Sequence, residues 1–308
     1  MELRHLRYFL MVAEERHFTR AAARLNMQQP PLSQQIRALE QELGFALFVR
    51  HPKGVDLTPG GLVFLGEARD ILNRVQDASR HAALAAAGFA GSLKVGFTTS
   101  AAAHPAIPAL LRAYRAQYPG VSLLLSEGNA RELTSELAEQ RLDIGFLRAP
   151  VARPPNLAFH ALLEEEMLLV LPVGHPLLDQ HGAGGFSLAQ LAEESFILVR
   201  SNGAPGLYGN LIQACEHAGF SPRIAFEVER MLTNINLVAA GAGISVVPAS
   251  MRGFHGASVV YCPLRESTPK LSAPITLVHG REASSPVVLN FVDMAKQVKQ
   301  AETPAART

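Results

Sequence analysis

Apolar residues in the first sixty positions recur with helical spacing. Leu6, Phe9, Leu10 and Ala13 stand at i, i+3, i+4 and i+7 and predict a one-faced helix over residues 3–15. Thr19 is placed to cap a second short helix, with Phe18 as its hydrophobic staple, and alanines at 21, 22 and 23 let a neighbour approach closely. Then comes NMQQPPLSQQIRALE, Asn26 to Glu40. Pro30 and Pro31 fit the first turn of a third helix, because N–H groups there have no intrahelical partner. Leu32, Ile36, Leu39 and Leu43 repeat at 0, 4, 7 and 11 and face inward, and Gly44 ends the run. The opposite face carries Ser33, Gln34 and Arg37, with Gln29 just ahead of it. Glutamine pairs bidentately with adenine and arginine with guanine in a major groove, so the pattern predicts a helix–turn–helix.

FALFVRHPKGVDLTPGG alternates as strand, turn, strand, then Thr58 as a cap and Pro59 opening a helix. Arg50, His51 and Lys53 are expected on the turn, where a wing meets a phosphate backbone. Leu65, Ala68, Leu72, Val75, Ser79, Ala82 and Ala86 then form a seven-residue repeat. Such a seam suits pairing with a second copy or packing on its own domain. GFAGS (88–92) is expected to break the helix as a hinge linker.

From residue 93 the period changes. Strand-like runs at 93–97, 121–125, 142–147, 167–171, 196–199 and 244–247 alternate with helical stretches at 106–117, 131–140, 206–218 and 231–240. That order predicts an α/β layer of parallel strands with crossover helices, binding ligands beyond the carboxyl ends of its strands. Thr98, Thr99 and Ser100 follow the first strand, and hydroxyls beside free N–H groups suit a carboxylate, or serve as turn and cap. Asn129, Phe146, Arg148 and Asn202 end or follow other strands where the cleft opens, Arg148 as the partner of an anion. Glu164, Glu165 and Glu166 are expected on a solvated turn.

Composition narrows the classes. The chain has 308 residues, enough for about two domains, and no run of 18 apolar residues that would span a membrane. The N-terminus lacks a secretory cleavage pattern. Cys215 and Cys262 have no CxxC spacing and fit inert thiols in a reducing cytoplasm. Net charge is +1, against indiscriminate nucleic-acid binding, yet residues 1–60 hold eight Lys/Arg against six acids. GAGIS is a turn before a strand rather than a dinucleotide loop, and GxSxG and GxxxxGK[ST] do not occur, so no enzyme and no cofactor is expected.

Phe18-Thr19-Arg20-Ala21-Ala22, Leu25, Gln29-Pro30, Leu32-Ser33, Gln35-Ile36, Leu39-Glu40, Leu43-Gly44, Leu47-Phe48, Arg50 and Thr58-Pro59 with Gly61 together resemble a LysR-type transcriptional regulator. RLDIGFLR (141–148) and LVAAGAGISVVPAS (237–250) are similar to that family's effector domain, and the likeness runs over the whole chain. The resemblance implies a winged helix–turn–helix over 1–58, a linker and dimerisation helix over 59–88, and a two-lobed, periplasmic-binding-protein-like (type 2) effector domain over 89–308. Lobe I would hold 92–162 and 270–308, and lobe II 163–269. It implies contacts to double-stranded operator DNA from Thr19, Gln28, Gln29, Pro30, Pro31, Ser33, Gln34, Arg37, Arg50 and Lys53. It also implies a cytoplasmic homotetramer built from linker-helix dimers, switched by a small organic-acid effector. Gln34 stands where the family often has Arg, and Gln28 where it often has Ser or Thr, which bears on the operator sequence. The opening residues and QQPPLS look closest to regulators of benzoate, muconate and chlorocatechol catabolism, implying control of aromatic-compound breakdown. The alternative, a solute-binding protein without regulatory role, accounts for 92–308 but needs export and leaves 1–58 unexplained.

Overall fold

The computed structural model describes residues 1–148, 153–180, 185–199, 206–265 and 267–301. Two compact units are present, Met1–Leu84 and the chain from Ala85 onward.

The first unit contains α1 (Leu3–Glu15), α2 (Phe18–Arg24), α3 (Gln29–Leu43), the antiparallel strands β1 (Phe48–His51) and β2 (Gly54–Leu57), and most of α4 (Pro59–Ala86). Leu6, Phe9, Phe18, Leu32, Ile36, Leu39 and Phe48 share one core. α2 begins two residues earlier than a Thr19 cap would have it. His17 has extended backbone and its side chain accepts the N–H of Thr19, so the imidazole is the cap. Gly54 turns the wing back against α1: its φ is +146°, and a Cβ would lie 2.4 Å from the Arg16 carbonyl, which already accepts the N–H of Val55. Arg50 and His51 lie in β1 rather than on the turn, which leaves Lys53 at the tip.

Only the first half of the α4 heptad packs within its own unit, and Ser79, Ala82 and Ala86 of the second half are exposed. Leu65 and Leu72 pack with buried Ala68 on the helix–turn–helix core, while Leu62 and Val63 are 65% and 71% exposed. The expected hinge is also ordered packing. Gly88 has φ +75°, and a Cβ there would meet the backbone of Pro286 at 2.7 Å, while the Phe89 ring lies 5.0 Å from that of Tyr118. Residues 90–92 already belong to a strand.

The second unit runs β3 (Ala90–Phe97), α5 (Thr99–Ala102), α6 (Ala106–Gln117), β4 (Gly120–Glu127), α7 (Ala130–Ala138), β5 (Ile144–Leu147) and β6 (Leu157–Pro172). It continues with β7 (Ser195–Val199), α8 (Gly206–His217), β8 (Arg223–Val228), α9 (Met231–Ala239), β9 (Ser245–Pro248), β10 (Val259–Pro263), β11 (Ser272–Gly280) and α10 (Pro286–Ala301). Parallel pairing holds for β3 with β4 and β5 and for β7 with β8; β11 and β6 are antiparallel to their neighbours, so the expected all-parallel layer is a mixed one. β6 pairs with β11 as far as Glu166 and with β9 and β10 from Met167 on, so one 16-residue strand serves two lobes. Lobe I packs α6 and α10 on one face and α7 on the other. Lobe II places α8 and α9 on opposite faces of its strands. Glu164–Glu166 are therefore strand residues, not a solvated turn. Both cysteines are buried, and burial pushes the Cys215 thiol up to about 11, well away from the reactive thiolate. No helix among the described residues is long and apolar enough to cross a membrane.

Under α10, His160 on β6 and His279 on β11 meet through their Nε2 atoms at 3.0 Å. The Gly280 carbonyl lies 2.7 Å from Nδ1 of His279 and can only accept, so that nitrogen carries the proton and His160 donates to the bare Nε2. Burial, with Lys296 and His279 adding to it, holds the His160 pKa below the ordinary 6.5. The folded state thus prefers neutral His160, and its contribution is present above pH 6.5 and lost as pH falls below it. Thermal melts from pH 7.5 to 5 should show a smaller loss of stability for His160→Gln than for the wild type; equal slopes would dismiss the histidine as a source.

Candidate DNA interface and effector cleft

Helix α3 has a defined outward face. Gln28, Pro30, Pro31, Gln34, Arg37 and Ala38 are exposed, Gln29 is half-buried, and Leu32, Ile36 and Leu39 point into the core. The helix starts at Gln29, so the prolines occupy positions whose N–H groups would be unpaired anyway. They also remove two backbone donors from that helix end. Thr19, at the start of α2, is exposed.

Ser33 departs from the expected outward face. It is buried, and its Oγ accepts Nη2 of Arg50 at 3.0 Å. The same guanidinium lies 4.5 Å above the Phe18 ring. A residue flanking Leu32 on a curved helix surface is reached by the neighbouring strand, which is why the helical wheel misplaces it. Arg50 consequently ties the wing to both helices of the motif. Glu40, to which periodicity assigned no role, binds the N–H groups of Leu47 and Phe48 at 2.7 and 3.2 Å and sets the angle at which β1 leaves α3. His5 on α1 bonds Gln35 on α3 at 2.8 Å.

Charge on this unit sorts into two groups. Arg20 and Arg24 are engaged by Glu15, and Arg24 also by Glu14, which lowers the Glu15 pKa chiefly through the Arg24 hydrogen bond. Arg37 and Lys53 stand exposed on the recognition helix and wing.

In the second unit, the lobe I side of the cleft is built by α5 and the ends of β4 and β5. Thr98 caps α5 by accepting the N–H of Ala101, and the Thr99 hydroxyl bonds the Glu127 carboxylate. Asn129 caps α7 in a reciprocal box with Glu132. Ser100 is buried beside them, and its carbonyl takes a bond from Arg148. Two expected ligands are placed otherwise. Phe146 is fully buried in the lobe I core with its ring 6.0 Å from Phe291, so it lines no cleft. It lies on the α10 face of a strand whose residues are all buried, a fact that four residues of sequence cannot express. Asn202 lies outside the described residues.

Arg148 is 4% exposed and already paired. It forms an ion pair with Glu165 and donates to the carbonyls of Ala273 at 2.7 Å and Ser100 at 2.8 Å, and to Ser250 Oγ at 3.2 Å. Glu165 in turn accepts the N–H and hydroxyl of Ser250 at 2.7 and 2.9 Å. Ser250 belongs to lobe II, so the network crosses between the lobes at the point where β6 passes from one to the other. Burial pushes the guanidinium pKa down from its ordinary value and Glu165 opposes the shift. Only Nε lacks a partner. Arg148 is therefore a structural cation, not a free ligand for an anion.

At the mouth of the cleft, Arg230 from lobe II lies 3.9 Å from Glu127 and 3.8 Å from Glu132 of lobe I. A depression of about 410 Å³ there is lined by Asn129, Arg131, Glu132 and Glu229 among others. The roles of Glu40, Glu165, Ser250 and Arg230 were not found by sequence reasoning, because their partners are remote in the chain and carry no spacing signal.

Residues 3–62 match the model of the bacterial regulatory helix-turn-helix protein, lysR family, and residues 86–300 match that of the LysR substrate binding domain. The chain is 41% identical to the uncharacterized HTH-type transcriptional regulator YnfL of Escherichia coli, over 86% of this chain and 88% of that one. It is 38% identical to the HTH-type transcriptional regulator BudR of Raoultella terrigena, over 96% of this chain and 100% of that one. Among solved structures it is similar to CbnR, a LysR family transcriptional regulator, with a TM-score of 0.84 and 30% identity over 96% of this chain and 100% of CbnR. Full-length CbnR complexed with its target DNA gives 0.83 at 29% identity, over 97% and 100% of the two chains.

Removing one member of the buried ion pair leaves an uncompensated charge. Arg148→Ala should lower the stability of the unit from Ala85 onward by about 3–5 kcal/mol. Urea unfolding followed by circular dichroism measures this, and a loss below about 1 kcal/mol would contradict the network's structural role.

Proposed function

The chain belongs to the LysR family of DNA-binding transcriptional regulators, and from that premise we propose that it reads an operator through α3 and is switched by a small organic acid in the cleft of its second unit. The observation that carries the reading is the outward face of α3. Gln34 and Arg37 are exposed one turn apart, on a helix whose tilt is fixed by Glu40 and whose wing is fixed by Arg50. Both side chains are long donors of the kind that read base edges, and a rigid frame holds them in register. Gln28, Gln29, Pro30 and Pro31 shape the leading end, while Thr19, Arg50 and Lys53 serve the phosphates. Ser33 acts by holding Arg50.

Operators of this kind are read by two copies at once, and the exposed Leu62 and Val63 offer the apolar face for a second copy. They add to the predicted seam, whose second half at Ser79, Ala82 and Ala86 is also exposed, with a tetramer as the full assembly. In the cleft, Ser100 at the start of α5 supplies a hydroxyl toward the acid, while Thr99 holds Glu127 beside it. The likeness of residues 1–22 and of QQPPLS to the aromatic-catabolism subgroup supports genes of aromatic-compound breakdown as targets.

Gel shifts with the gene's own upstream region test the reading head. Gln34→Ala and Arg37→Ala should each weaken specific binding by roughly 1–3 kcal/mol. Non-specific binding should change little for Gln34→Ala, and unchanged specific affinity in both variants would remove them from the interface. Light scattering tests the pairing face: Val63→Glu should shift the mass toward the monomer with its melting intact, whereas Leu72→Glu should unfold the first unit. A full-mass oligomer for Val63→Glu would refute the contact.

A further inference from the structure

The cleft needs a cation if its ligand is an acid, and Arg148 is not available. Its guanidinium is 4% exposed and shared among Glu165, Ser250 and two carbonyls. Arg230 is in the opposite condition. Its side chain is 45% exposed, and its approaches to Glu127 and Glu132, at 3.9 and 3.8 Å, are too long for hydrogen bonds.

Both of those carboxylates are held by other groups. Glu127 takes the Thr99 hydroxyl, and Glu132 accepts the N–H of Asn129 at 2.8 Å in the cap of α7. They keep their places without Arg230, and exposed pairs at such distances are worth little. Arg230 itself is well positioned. It precedes α9, and one turn later buried Asn234 donates to the Ile197 carbonyl at 2.8 Å, which fixes the helix against β7. The guanidinium thus reaches from lobe II toward Glu127, which holds the Thr99 hydroxyl, and Glu132 of lobe I on a rigid base. A ligand carboxylate making short, two-pronged bonds to it would displace the two loose pairs and link the lobes.

We infer that Arg230 receives the carboxylate of the effector, and that Glu127 and Glu132 compete with the ligand for it. The inference rests on the organic-acid reading above. It also narrows the chemical class. Glu127, Glu132, Glu136 and Glu229 outnumber Arg131 and Arg141 around the mouth, so a second carboxylate on the ligand would meet an excess of negative charge. The site favours a monocarboxylate over a dicarboxylate of similar size.

Calorimetry on the full-length protein decides, with acetate, benzoate and cis,cis-muconate as probes. The expected result is binding of a monocarboxylate, weakened tenfold or more in Arg230→Gln, partly retained in Arg230→Lys, and tightened in Glu127→Gln. Arg230 is half-exposed, so the variants should melt with the wild type, and operator affinity without probe should be the same. Equal binding by the wild type and Arg230→Gln overturns the assignment while leaving the organic-acid reading in place. Failure of every carboxylate to bind the wild type removes that reading and the inference with it. Tighter binding of muconate than of either monocarboxylate overturns the charge-class assignment, and weaker binding in Glu127→Gln overturns the competition.

Discussion

A guanidinium and a carboxylate shut away from water where β6 passes between two lobes constrain the whole second unit. Arg148 and Glu165 must find every hydrogen bond locally, because a buried charge without partners is very costly. Their partners are Ser100 on one side and Ser250 on the other, so satisfying the charges brings α5 of lobe I and the 249–251 turn of lobe II to one place. The lobes are therefore joined by a continuous strand and by a polar lock beside it. Any relative movement of the lobes has to preserve those bonds or exchange them.

The first unit solves a related problem differently. A recognition helix must hold exposed side chains still while giving up little surface to packing. Here the anchoring is done from behind and from the flank. Leu32, Ile36 and Leu39 fill the core, Glu40 binds two strand N–H groups, and Arg50 bridges Ser33 and Phe18. The outward face is left free of internal partners, which is the state a base-reading surface requires.

Much of this was legible from periodicity. The starts and ends of α3, α4, α6 and α9 follow from proline, threonine and glycine punctuation and from apolar spacing, because those are local properties of the backbone. β8, β10 and β11 were missed. β8 is an exposed edge, and β10 and β11 are antiparallel returns whose pairing partners lie tens of residues away. Thr98 and Asn129 illustrate a shared ambiguity: the same hydroxyl or amide at a helix start serves as cap or as ligand, and in this fold both act as caps.

The sequence by itself determined which segments of the first unit are helical, which apolar stripe of α1 and α3 turns inward, and that α3 presents amides and a guanidinium to the outside. These depend on neighbours within a turn or two, and the residues record them directly. Tertiary structure alone decided what the charges do. Arg148 became a buried strut, Glu165 its counter-ion rather than a solvated residue, Ser33 a bracket for Arg50, and Arg230 the accessible cation at the cleft. The reason is electrostatic. A charged side chain takes its role from the dielectric and the partners around it, and those are supplied by residues far away in the chain.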